Sequence, residues 1–164
     1  MSAQPLILDH DKWRKGAGGA PAGVSGQSDG NSYAGLDLNL ITFSASTFSG
    51  SSFCATTFVD AVWTGCRFSH CTFSACDFQR IRIDGCTFTD CTFANGRFAG
   101  SNLDGSSFTG CTWNALNFDN ARWNQVKVLS CTGTHVAAEN IVGAQVDFTG
   151  SSFQDMQFVN ARIN

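Results

Sequence analysis

The chain has 164 residues, and only 14% of them are charged, 10 basic against 13 acidic, for a net charge of −3. That length suits one domain, or one repeat array with a tail. The balance lacks the basic excess of a polyanion-binding protein, so direct nucleic-acid binding is not expected. No apolar run approaches the roughly 18–20 residues of a membrane span, and Leu6-Ile7-Leu8 is too short, and too soon followed by charges, to be the core of a signal peptide. The composition predicts a soluble, cytoplasmic protein with no membrane association.

Residues 1–15 form a distinct N-terminal segment, in which Leu6, Ile7, Leu8 and Trp13 lie among Asp9, Asp11, Lys12, Arg14 and Lys15. Such a segment suits a cap or docked strand over one end of a repeat array, or an arm that binds a partner. Residues 16–35 read as a Gly-rich linker, from Gly16-Ala17-Gly18-Gly19 to Gly30-Asn31-Ser32.

From residue 36 to 164 one pattern dominates. All fifteen phenylalanines fall in a single class of a five-residue frame, which also takes Trp63, Trp113 and Trp123. The residue two before each frame centre is small or apolar, and the one between is mostly polar, as in Cys71-Thr72-Phe73. Inward, outward, inward is the period of a β-strand. The two remaining residues are rich in Gly, Asn, Asp and Ser, which suits a corner. A period of five drifts around a 3.6-residue turn and makes no helical face. Phe48, Phe53, Phe68, Phe73, Phe88, Phe93, Phe98 and Phe108 are therefore expected in the core.

The eight cysteines follow the same frame. Seven of them, Cys71, Cys91, Cys111 and Cys131 included, sit two residues before a centre, where free cysteine serves as a small hydrophobe. Spacings of twenty recur among them, which points to four quintets per turn and a square cross-section. A straight ladder of thiols about 4.8 Å apart does not converge on a tetrahedral metal, and its parallel side chains do not suit disulfides. Cys54 differs, because it follows Phe53 at a corner and should be the exposed thiol. Between Val126 and Val146 the phenylalanines vanish, yet Phe148 returns in frame. There the first inward positions become large (Val126, Val136, Ile141, Val146) while the centres Gly133, Ala138 and Gly143 become small. That exchange conserves volume, so the coil is expected to continue through 126–147.

Cys71-Thr72-Phe73, Cys91-Thr92-Phe93, Ser101-Asn102-Leu103 and Ser106-Ser107-Phe108 resemble the pentapeptide-repeat family. The resemblance implies an all-β fold, a right-handed quadrilateral β-helix, here of about 6.5 coils over residues 36–164.

No nucleophile, base and orienting group are grouped by the frame, and no phosphate loop is present, so neither an enzyme nor a cofactor or metal site is expected. The favoured function is a rigid protein-binding or scaffold module. Its candidate contacts are the outward apolar residues Val59, Val62, Leu129, Val142 and Val159, with Arg82 and Arg122 near Asp84 and Asp104. The repeat ends on Ala161-Arg162-Ile163-Asn164, an end that could stack on its own copy as a homodimer. Two alternatives follow from the family resemblance. One is a mimic of duplex DNA that binds a type II topoisomerase, against which the repeat region sets a mixed charge of ten acids and seven bases. The other is an accessory or effector protein of a bacterial secretion system.

Overall fold

Three-residue strands, each with its centre buried and its flanks turned outward, recur along the chain, as in Arg67–Ser69, Thr87–Thr89 and Ser107–Thr109. These three pair in parallel with Phe68, Phe88 and Phe108 in register, twenty residues apart. The computed structural model describes residues 2–163. Residues 1 and 164, at the outer limits of the predicted N-terminal segment and solenoid, lie outside it. The coils wind into a right-handed quadrilateral β-solenoid of about seven turns. Its four faces are named here by the centres that open them: Phe43, Phe48, Phe53 and Phe58.

The Phe48 face is a six-stranded parallel sheet, and the Phe53 face an eight-stranded sheet. On the Phe58 face pairing shrinks mostly to single bridges such as Asp37 with Thr57 and Thr57 with Asp77. Its corners are instead closed by turn hydrogen bonds, Ile41 N–H to Leu38 O and Ala61 N–H to Phe58 O among them. Every second-corner residue from Leu40 to Asn160 has positive φ, including seven glycines. That conformation costs an ordinary L-residue roughly 1–2 kcal/mol and Gly nothing, which accounts for the glycines at this phase.

The frame centres stack inside as columns. Phe48, Phe68, Phe88 and Phe108 lie 4.7–4.8 Å apart with rings within 7° of parallel. Neighbouring columns meet edge to face, as Phe88 meets Phe93, a favourable aromatic geometry. The solenoid runs unbroken through 126–147: Thr112–Asn117 pairs with Thr132–Glu139, and Arg122–Asn124 with Val142–Ala144. Val126, Cys131, Val136 and Ile141 are fully buried. The space over the small centres is filled from neighbouring coils. Trp113 and Phe153, two coils apart, meet across Gly133 at 5.6 Å, and a Cβ on Gly133 would collide with the Trp113 carbonyl oxygen.

The linker expected over 16–35 is corrected by the structure. β1 (Gly23–Ser25), β2 (Ser28–Asp29) and β3 (Ser32–Ala34) pair in parallel with Thr42–Ser44, Thr47–Ser49 and Ser52–Cys54. They form the first coil, with Val24, Asp29 and Tyr33 as its centres. Val24 and Asp29 pair with Phe43 and Phe48, nineteen residues on, whereas Tyr33 pairs with Phe53, twenty on. One residue is missing between Asp29 and Tyr33, so the five-residue frame slips at this corner. The glycines that suggested flexibility are corners and outward positions.

The N-terminal segment, expected as a cap, a docked strand or an arm, is a helix, α1 (Gln4–Arg14), and the fold is nearly all-β. Pro5 stands in its first turn, and Gly16 follows it at φ 71°, both common at helix ends. Ala3, Ile7, His10 and Asp11 are buried against the first coil.

Candidate binding surfaces

The corner joining the Phe58 face to the Phe43 face holds residues 39–42, 59–62 and their repeats up to 159–162. Val59, Val62, Val142 and Val159 stand along this edge, while Leu129 lies apart on the Phe48 face. Val59, Val62 and Leu129 are half-buried; Val142 and Val159 are 44% and 51% exposed. The same edge carries Leu40, 51% exposed, which the sequence reading passed over because it sits at a corner position. All three exposed large apolar residues of the solenoid thus share one edge. Arg80 with Asp60, Arg82 with Asp84 and Arg122 with Asp104 form ion pairs beside it at 3.0, 2.9 and 3.5 Å. Pairs this exposed add little stability. They leave cationic groups along the edge between its apolar ends.

The faces differ in charge. The Phe58 face and its corners carry Asp37, Asp60, Asp77, Asp119 and Glu139 against Arg80 and Arg97. On the Phe53 face the strand segments 32–34, 52–54, 72–74, 92–94, 112–114, 132–134 and 152–154 carry no charged residue, and one outward column there runs Ser52, Thr72, Thr92, Thr112, Thr132 and Ser152 in register. Threonine in such a column favours the strand itself.

Inside, the thiols have a use beyond filling space. The thiols of Cys71, Cys91, Cys111 and Cys131 donate to the carbonyls of Phe48, Phe68, Phe88 and Phe108 at 3.3–3.4 Å. Ser106 and Ser151 hydroxyls do the same toward Ile83 and Val128. On the Phe53 face, from Cys71 to Ser151, the first inward position therefore takes a small hydrogen-bond donor. Burial pushes the Cys76 thiol up to about 11, which keeps it protonated and unreactive. Cys54 is the exposed thiol.

The first coil is held differently. The Asp29 carboxylate, 7% exposed, occupies a frame centre and accepts from Tyr33 OH at 2.6 Å and Ser51 OH at 2.7 Å. It also accepts from the backbone and side-chain N–H groups of Asn31. The Tyr33 phenol is pushed above its ordinary range by burial first, and then by its bond to Asp29. His10 Nε2–H donates to Asn39 O at 2.7 Å, and Ala22 N–H donates to His10 Nδ1 at 2.9 Å. Asp11 accepts from Asp37 N–H and pairs with Lys15. His70 and His135 lie at corners of different faces, and His135 pairs with Asp155 at 3.6 Å. Among the described residues no group of three metal-ligating side chains converges, and no helix is long and apolar enough to cross a membrane.

Stacked four-sided coils with one centre per quintet define a quadrilateral parallel β-solenoid. Residues 61–137 match the model described as "Pentapeptide repeat region". Over that span the chain carries the repeats of the pentapeptide-repeat family. Among solved structures it is similar to a trypsin-treated form of QnrB1, a plasmid-mediated fluoroquinolone resistance protein. That match has 14% identity and a TM-score of 0.55, covering 85% of this chain and 92% of that one. Full-length QnrB1 matches at 13% identity and a TM-score of 0.51, covering 88% and 94%. Rfr23, a pentapeptide repeat protein of the cyanobacterium Cyanothece 51142, matches at 9% identity and 0.41, covering 87% and 86%. No curated protein matches the chain. At these identities the likeness concerns the fold.

Proposed function

We propose that this protein is a non-enzymatic, cytoplasmic scaffold that binds a protein partner along the edge between its Phe58 and Phe43 faces. The observation that supports this reading is the gathering of Leu40, Val142 and Val159 on that edge, with Val59 and Val62 beside Leu40. Scattered exposed apolar residues are ordinary on a protein surface, but alignment on one of four edges is not. A solenoid is stiff along its axis, so the two apolar ends of the edge keep a fixed spacing. A partner held at both ends would be measured for length as well as for chemistry.

The test is affinity capture from the source cells with three baits: the native chain, an edge variant (Leu40→Asp, Val142→Asp, Val159→Asp) and a Phe53-face variant (Thr72→Asp, Thr112→Asp). The edge variant should lose a partner that the other two retain. Retention by the edge variant, or loss from the Phe53-face variant instead, would remove this reading. A supercoiling assay with purified type II topoisomerase tests the competing role as a mimic of DNA. With ten acids against seven bases in the repeat region, the field is mixed rather than uniformly negative, and no inhibition is expected.

A further inference from the structure

We propose that α1 is an acid-released latch, closed over the first coil only while His10 is neutral. His10 is 1% exposed, and both of its ring nitrogens are engaged. Nδ1 accepts from the backbone N–H of Ala22, a group that can only donate, so this contact fixes the ring as the Nε2–H tautomer. Nε2–H in turn donates to the carbonyl of Asn39. A single imidazole thus ties the helix to the strap that leads into β1 and to the corner before Thr42–Ser44.

Protonation of Nδ1 would set one N–H against another across 2.9 Å at a buried position. The ring cannot flip to escape, because Asn39 O accepts only from an N–H and Ala22 N–H then faces Nε2–H. Two of the acids near the ring are already committed. On α1, Asp11 is held by Lys15 and by the N–H of Asp37. On the first coil Asp37 is held by Arg14. Asp9 precedes His10, and its backbone carbonyl accepts from Ala20 N–H. Trp13 covers one side of the ring at 5.4 Å. Among the described residues no carboxylate contacts either ring nitrogen to welcome a positive charge. The closed geometry needs Nδ1 as an acceptor and so admits only the neutral ring, which makes the latch weaker in acid.

Release would uncover Ile7 and the apolar end of the first coil, where Val24 and Leu38 are now fully buried. The rest of the solenoid has no histidine inside it; His70 and His135 sit exposed at corners. The response to acid is therefore local to this end.

Hydrogen exchange of the full chain between pH 7.5 and 5, the range in which imidazoles titrate, tests the latch. After correction for the intrinsic rate, protection over residues 6–14 and 22–25 should fall by up to about ten-fold per pH unit. Protection over 67–129 should not change. In His10→Phe the two segments should lose that pH dependence, whatever their level of protection. Because the variant could dock poorly at every pH, ¹⁵N spectra of the native imidazole give the second readout. They should show the Nε2–H tautomer in the latched form, and protonation together with loss of protection. Protonation of His10 with the helix still protected would overturn the proposal. So would the same pH dependence in His10→Phe.

Discussion

The first coil and the middle of the rod share one backbone path and are stabilised by different chemistry. At mid-rod the centre column is Phe68, Phe88 and Phe108, a continuous apolar stack with rings nearly parallel. One coil from the N-terminus the same column holds Asp29, whose carboxylate is satisfied by Tyr33, Asn31 and Ser51. Stacking can be repeated coil after coil, because each ring offers the same face above and below. A hydrogen-bonded carboxylate cannot, because its partners must come from side chains placed for it alone. The rod proper is thus built for extension, and its first coil for termination under α1.

Removing a ring from the stack should have the largest effect. Phe88→Ala leaves a cavity between Phe68 and Phe108, at an expected cost of about 3–5 kcal/mol in chemical denaturation. Asp29→Ala strands the buried hydroxyls of Tyr33 and Ser51, at an expected cost of about 1–3 kcal/mol. The comparison requires that this loss stay local, as faster exchange over residues 22–54 with 67–129 unchanged. A solenoid couples each coil mainly to its neighbours, which makes such locality reasonable. If Asp29→Ala lowered protection along the whole rod as Phe88→Ala should, the two regions would be one cooperative unit.

How far the fold could be read from the chain follows the same boundary. Between Leu38 and Ile163 the frame was legible because every centre points inward and a Phe, Trp or aliphatic side chain fills nearly all of them. It was legible even where Gly133 and Gly143 replace the ring, because spacing survived the loss of the residue type. Before Leu38 both signals fail together. The quintet from Asp29 to Tyr33 is one residue short, and two of the three centres are polar or phenolic. The helix left clues, with Pro5 early, Gly16 at the end, and Ala3, Ile7, His10 and Asp11 at helical spacing. A burial pattern that includes His and Asp is hard to distinguish from a solvated face until their partners are seen. The valines of the candidate edge were picked out as outward residues, but only the coil register brings four of them to one corner.

The next effect concerns the glycines of the late coils. Gly143→Ala would drive a Cβ into the Trp123 carbonyl oxygen, an overpacking expected to cost about 1–3 kcal/mol. Gly85→Ala meets nothing within 4 Å but must adopt φ 59°, for roughly 1–2 kcal/mol. The two variants separate space from conformation. Gly85→Asn should recover part of its loss, since Asn tolerates this region. Gly143→Asn should not. Equal recovery at both sites would mean that the late centres are small for a backbone reason and not because Trp113 and Trp123 fill their volume.

The smallest expected effect decides what the cysteine column is for. Cys91 is buried and donates its S–H to Phe68 O at 3.4 Å. A merely apolar role predicts that Cys91→Ala is tolerated better than Cys91→Ser, because a hydroxyl is more costly to bury than a methyl. A donor role predicts the reverse, with Cys91→Ser within about 1 kcal/mol of the native chain, since a bonded hydroxyl recovers that cost. Ser106 and Ser151 already make the equivalent bond at 3.1 and 2.6 Å in later coils. The position thus selects a small side chain with a hydrogen to give. Along this column cysteine satisfies it at 71, 91, 111 and 131, and serine at the two ends, Ser51 and Ser151.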